Sequence, residues 1–166
     1  MKQATLCLLI KENSKEIPLA MNEFFFNKVV KPQSFAGICQ ATWNGKIEEK
    51  ESPFEAIQRE ANEELGEEFF KNYPFSSLIP IRTTKTKSAK DGKEMLSCHW
   101  VGPIRKEELK LIKLHFGCSE LVFLEAEDNV YPLTSGVDPK KNIVLFDDDF
   151  KILKEEVFPQ IELIFR

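Results

Sequence analysis

Two histidines and four scattered cysteines are the whole stock of soft metal ligands in this chain. Cys7, Cys39, Cys98 and Cys118 include no C-x-x-C pair, and neither His99 nor His115 has a spacing that builds a zinc site. The thiols therefore read as reduced, mostly packed side chains of a cytoplasmic protein. No apolar run reaches the length of a membrane span. The short run Ala4 to Ile10 lacks a small-residue cleavage site after it and reads as a first buried strand rather than a leader. Positive charge is not in excess either. A net charge of −4 excludes a broad nucleic-acid surface. Internal repeats, low-complexity tracts and linkers are missing too.

What is present describes one globular domain over 1–166. The chain is 42% hydrophobic and 30% charged, with 14 phenylalanines to fill a core, and that balance is not a disordered one. Hydrophobic patterning predicts strands over 4–10, 17–22, 36–43, 77–84, 94–101 and 120–126, with Asp91-Gly92 as a hairpin turn. Helices are expected near 53–65, 106–114 and 148–158, the last stopped by Pro159. Mixed strands with a few helices make an α/β layered fold.

The most informative segment is 45–66. Ser52, Pro53 and Glu55 form a helix start in which serine caps, proline fits the first turn and glutamate closes a capping box. Gly66 is placed to end that helix. Phe54, Ile57, Ala61 and Leu65 recur at helical spacing and should face a core, whereas Glu60, Glu63 and Glu64 share another face. Like charges at these spacings repel by about 0.2–0.5 kcal/mol per pair. A hard divalent cation, which prefers oxygen ligands, would reverse that sign. The bland alternative is a solvated acidic face.

Gly45, Glu51, Arg59, Glu60, Ala61, Glu63, Glu64 and Gly66 stand at the spacings G-x5-E-x7-R-E-U-x-E-E-x-G. A chance match in a chain of this length is on the order of one in a million. The segment resembles the signature box of the Nudix hydrolase (MutT-like) family. Only the final apolar position departs, where Glu67 stands, and Phe69 or Phe70 is expected to enter the core in its place. The resemblance implies an α/β/α sandwich, a mixed β-sheet between α-helices. It also implies a Mg2+-dependent (Mn2+ also fitting) pyrophosphohydrolase that cleaves a nucleoside diphosphate linked to another moiety, by attack of water on a diphosphate phosphorus.

Carried over by position, Glu60, Glu63, Glu64 and the Gly45 carbonyl become metal ligands. Arg59, pairing with Glu55 or Glu51, becomes the residue that orients them. One glutamate must take the proton of water. Glu63 and Glu64 on the box helix and Glu120 downstream are the candidates, with Glu94, Glu107 and Glu108 as further ones.

For the substrate, the order Pro18 to Asn22, then Trp43-Asn44-Gly45, is similar to Nudix nucleoside triphosphatases that clean oxidised purine nucleotides. Asp147-Asp148-Asp149 resembles an aspartate pair in those enzymes. On that basis Trp43, Asn44 and Asp148 are substrate contacts. Each has a plainer reading: Trp43 as core, Asn44-Gly45 as a turn, the aspartates as helix caps. The basic stretch Arg82, Lys85, Lys87, Lys90 and Lys93 reads as a solvated hairpin or as a phosphate contact. The segment Glu23 to Phe35 reads as an insertion, serving as packing, lid or dimer contact.

The expected partner is a small nucleotide, with no membrane, for a monomer or homodimer. Two further classes stand beside the hydrolase. One is a catalytically silent nucleotide-binding or regulatory module with the same fold. The other is an isopentenyl diphosphate isomerase using Cys39, although the box here has the hydrolase form.

Overall fold

The computed structural model of the chain describes residues 2–11, 21–29, 35–87, 91–114, 118–125 and 130–160. Its organising element is strand β1, Lys2–Lys11. Ala4 to Ile10 are buried on both faces of this strand. A near-continuous apolar run of this kind is what a strand enclosed on both sides requires. Strand β1 pairs in parallel with a strand far away in sequence, from Lys2↔Leu96 to Ile10↔Ile104. Its other edge carries two antiparallel partners end to end. One takes Gln3 to Leu6, and the other takes Leu9 to Lys11.

In chain order the remaining strands are β2 (Met21–Val29), β3 (Ile38–Gln40), β4 (Trp43–Lys46), β5 (Ile79–Lys87), β6 (Glu94–Ile104), β7 (Cys118–Glu125), β8 (Val130–Pro132) and β9 (Ile143–Leu145). They join one mixed sheet in the order β5-β6-β1-β2-β3-β9-β8, with β4 added to β1 and β7 to β2. The helices are α1 (Pro53–Leu65), α2 (Glu67–Asn72), α3 (Lys106–Leu109) and α4 (Asp147–Ile152). The architecture is the expected mixed sheet sandwiched between helices. Among the described residues, no helix is long and apolar enough to cross a membrane.

Helix α1 starts as its sequence dictates. Ser52 Oγ accepts from the Glu55 amide at 3.1 Å, and Glu55 returns a carboxylate to the Ser52 amide at 2.9 Å. Ala56, Ile57, Ala61 and Leu65 are its buried residues. Phe54 is not among them; it sits 37% exposed in the first turn, so the apolar stripe begins one turn later than its spacing suggests. Gly66 ends the helix at φ +96° and leads straight into α2. There Phe69 is wholly buried and stacks on Tyr73 at 4.9 Å between ring centroids. Phe69 thus fills the core that Glu67 cannot enter.

Several boundaries differ from the sequence reading. The single strand expected over 36–43 is two short strands broken at Ala41-Thr42, and Asn44-Gly45 lies inside β4 rather than in a turn. Most of the supposed insertion 23–35 is strand β2, paired with β1, β3 and β7. Its run of aromatic and β-branched residues favours a pleated strand. Of the strand expected over 17–22, residues 17–20 lie outside the described residues, as do 88–90 beside the Asp91-Gly92 turn. Helix α3 stops at Leu109, five residues short of the expectation. After α4 the chain widens into a π-helical turn, Leu153–Val157, and Pro159 sits in a closing 3-10 turn. Strands β8 and β9, three residues each, carry too little pattern to be read in advance.

Because Phe69 fills its site completely, Phe69→Ala is expected to destabilise the fold by about 3–5 kcal/mol. Equilibrium denaturation of the purified variant measures that loss.

Candidate active site

Strand β4 and helix α1 meet at Gly45. A methyl group at this position would overlap the Glu60 carboxylate. Any larger residue here would displace the Glu60 carboxylate; the constraint is close approach and not a left-handed backbone. Glu60 itself is held by Arg59, whose Nη1 donates to Glu60 Oε1 at 2.7 Å.

Arg59 is the hub of the site. Its Nε and Nη2 donate to the two oxygens of Glu51 at 2.8 and 3.1 Å, a two-pronged pairing that fixes the guanidinium plane. Nη2 also donates to the Lys46 carbonyl at 2.8 Å. Glu51 in turn accepts the Glu48 amide at 2.9 Å. One arginine thus ties β4, the loop 47–52 and α1 together. Of its two expected partners it takes Glu51, because Glu55 is committed to the helix cap. Hydrogen bonding to Arg59 holds Glu51 below the usual carboxylate range, and the same bond pushes Arg59 further up.

The three glutamates differ in state. Glu63 is open, with 59% of its side chain exposed, and lies 3.7 Å from Arg59 Nη1. Glu60 is mostly covered, and burial raises its pKa against the pull of Arg59. Glu64 is pushed up to about 8, first by burial and then by the charges of Glu60 and Glu63. One Glu64 oxygen is buried with no hydrogen-bond partner. The backbone amide of Asn44, facing the carboxylate, opposes the rise.

A buried carboxylate oxygen without a donor is costly. It suits a hard cation, as do the neighbouring acids and the bare backbone at Gly45. Among the described residues no three such side chains already converge on one point. The geometry gives the reason: Arg59 draws Glu60 to one side and Glu63 extends into solvent.

The other expected contacts lie apart from this cluster. Trp43 is 1% exposed and packs in the core opposite Leu6, so it offers no open ring face for stacking on a base. That reading is corrected: its alternation along β4 points it inward. Asn44 is half-buried, and its side chain donates to Thr42 Oγ1 at 3.4 Å. Asp148 lines a groove of about 300 Å³ between β5 and α4, together with Arg82, Thr84, Thr86 and Lys151. Burial raises its pKa.

None of the three aspartates caps α4, contrary to the plainer reading. Asp147 accepts from Thr134, and Asp149 accepts from Ala41 and Thr42. Glu120 falls on β7, with its side chain outside the described residues. Glu94 and Glu107 are exposed, and Glu108 folds back to the Arg105 amide.

In the basic stretch, Arg82 pairs with the buried Glu156 at 3.0 Å, Lys85, Lys87 and Lys93 are exposed, and Lys90 lies outside the described residues. His99 is buried between the hydroxyls of Thr5 and Thr84 at 2.6 and 2.7 Å, and burial lowers its pKa to about 4. Cys7 and Cys98 are free thiols. Two contacts escaped the sequence reading: the Asn44 amide on Glu64 and the Asp149 carboxylate at Ala41-Thr42. Both join residues distant in sequence, and only the acidic run 147–149 hinted at the second.

No family model and no curated protein sequence matches the chain. Solved structures do. A MutT/nudix family protein from Enterococcus faecalis superposes at a TM-score of 0.57 with 13% identity, over 98% of this chain and 68% of that one. A candidate asymmetric diadenosine tetraphosphate hydrolase from Jonesia denitrificans gives 0.57 with 10% identity, over 98% and 94%. The Nudix domain of Shewanella oneidensis NrtR, complexed with ADP ribose, gives 0.53 with 10% identity, over 93% and 85%. The mixed-sheet sandwich described above is thus an α/β fold of a known kind. It is the Nudix fold.

The burial of Glu64 has a measurable consequence. Its folded pKa of about 8 lies above the ordinary 4.5, so its contribution to stability is full below pH 4.5 and is lost as pH rises towards 8. Asp149, raised from 3.8 to about 6, acts in the same direction at lower pH. In the presence of a chelator, the melting temperature of the protein is expected to fall between pH 6 and 8. Glu64→Gln should remove most of that fall, roughly a few degrees, in thermal melts across the range.

Proposed function

We propose that the protein is a metal-dependent pyrophosphohydrolase of nucleoside diphosphate derivatives, built as one domain over 1–166. The observation that carries this reading is the Glu64 carboxylate, buried with an oxygen that lacks a donor, beside two more glutamates and an arginine that holds one of them. Its place on a Nudix fold, on the same helix as Arg59 and as the Glu60 that lies against Gly45, supports the same reading.

Glu60, Glu63, Glu64 and the Gly45 carbonyl would hold the divalent cation, Mg2+ or Mn2+. When bound, such an ion supplies neutralisation of non-bridging phosphate oxygens and a more acidic water. The residues of the chain do the rest. Arg59 keeps Glu60 and Glu51 in place. Glu63, open to solvent, is the box-helix group best exposed to take the proton from an attacking water; Glu120 is the downstream alternative. Water then attacks a phosphorus of the diphosphate bridge, and the distal group leaves as a phosphate ester or phosphate.

Asn44 and Asp148 remain the proposed substrate contacts. Trp43 serves as core. The substrate is a small nucleotide, and we place the protein in the cytoplasm as a monomer or homodimer. Diadenosine tetraphosphate and ADP ribose, named for structural neighbours, and oxidised purine nucleoside triphosphates are the first compounds to try.

The test is product release across those nucleotides, nucleotide sugars and capped RNA with Mg2+ or Mn2+. One class is expected to turn over. Glu64→Gln should lower kcat by roughly a hundredfold or more, in the range of a lost acid-base or metal-binding group, and a chelator should abolish turnover. Absence of turnover for every compound, with Mn2+ binding retained, would replace this reading with the silent nucleotide-binding module.

A further inference from the structure

The C-terminal helix carries a buried carboxylate that the proposed reaction does not use. Asp149 is 5% exposed and stands in the first turn of α4, yet it does not cap that helix. Its Oδ2 accepts the Ala41 amide at 2.9 Å, and its Oδ1 accepts the Thr42 hydroxyl at 2.6 Å. The Thr42 amide is a third donor. All three donors come from the two residues that interrupt β3 and β4. With its proton committed to Asp149, the Thr42 hydroxyl is the acceptor for Asn44 Nδ2 at 3.4 Å. The Asn44 backbone amide faces Glu64 and lowers its pKa, and the next residue is Gly45, against which Glu60 lies. Hydrogen bonds thus run from the C-terminal helix to the Asn44 side chain, and the backbone of that same residue faces the buried glutamate of the box.

We infer that Asp149 is a positioning residue for the carboxylate site: by fixing the Ala41-Thr42 turn it sets β4 so that the Asn44 amide meets Glu64 and the Gly45 backbone meets Glu60. The activity half of this inference rests on the hydrolase reading; the structural half stands without it. An asparagine of the same shape could still accept the Ala41 amide, but its NH2 group would turn the Thr42 hydroxyl from donor to acceptor, in competition with Asn44 Nδ2. The titratable groups that face Asp149 are the Cys7 thiol on β1 and Asp148 on its own helix. Burial pushes the Asp149 carboxyl up to about 6, so the anchor is charged at neutral pH.

Three variants test it: Asp149→Asn, Thr42→Val and Thr42→Ser. Thr42→Val removes the hydroxyl but keeps the shape and the backbone donors, whereas Thr42→Ser keeps the hydroxyl. The first readout is NMR amide exchange at Asn44 and Gly45 in the metal-free protein. Asp149→Asn and Thr42→Val should speed it by roughly tenfold while amides of α1 are unchanged.

The second readout is kinetic: kcat should fall by roughly tenfold with KM within about twofold, and the double variant should be no worse than Asp149→Asn alone. Thr42→Ser should restore both. Should Asp149→Asn fail to fold, the valine and serine pair decides. Unchanged exchange at Asn44, or additive kinetic losses, would overturn the inference. A wild-type protein that turns over no nucleotide removes the hydrolase reading, and exchange still settles the anchor.

Discussion

The site depends on the pairing of Arg59 with Glu51. An isolated ion pair at a surface contributes little. This one differs because the guanidinium meets both oxygens of one carboxylate, a main-chain carbonyl and a second carboxylate at once. Four contacts from one rigid plane set the distance between β4, the loop after it and the helix. Like-charged glutamates on one helix would otherwise turn apart. With Arg59 fixed, Glu60 is held against Gly45, while Glu64 is left under cover where its charge is costly.

The burial of Glu64 is a conflict of the kind that ordinary cores avoid. Several other buried polar groups are satisfied. His99 has a hydroxyl on each ring nitrogen, Ser97 bridges Gln3 and Thr86, and Asp149 has three donors. Against that background one carboxylate oxygen lacking any donor stands out. A buried carboxylate oxygen that breaks this rule is a place where function is to be sought. The open Glu63 beside it is where solvent reaches this cluster.

Much of this was legible before any coordinates. The capping box of α1, the burial of Ile57, Ala61 and Leu65, and the grouping of the three glutamates all follow from spacings within one helix. Local periodicity and turn chemistry suffice for such features. Phe69 was legible as the replacement for the apolar residue missing at Glu67. What could not be read depends on tertiary contact. Trp43 resembled a stacking residue until its inward alternation on β4 was seen, and strand β2 resembled an insertion because its pairing partners lie elsewhere in the chain. The Asp149 anchor joins positions 107 and 108 residues apart, and no local pattern announces it.

The parallel ladder between β1 and β6 joins Lys2 to Leu96 and Ile10 to Ile104, closing a long loop of chain. Pairings so distant in sequence cost loop entropy before they return any contact, and they slow folding. Helix α1, with its own cap, can form early. Strand β1 cannot be enclosed on that edge until β6 exists. During synthesis the acidic helix would therefore be made before the sheet it leans on is complete. Full enclosure of β1, on which that helix packs, must wait until the second half of the chain has been made.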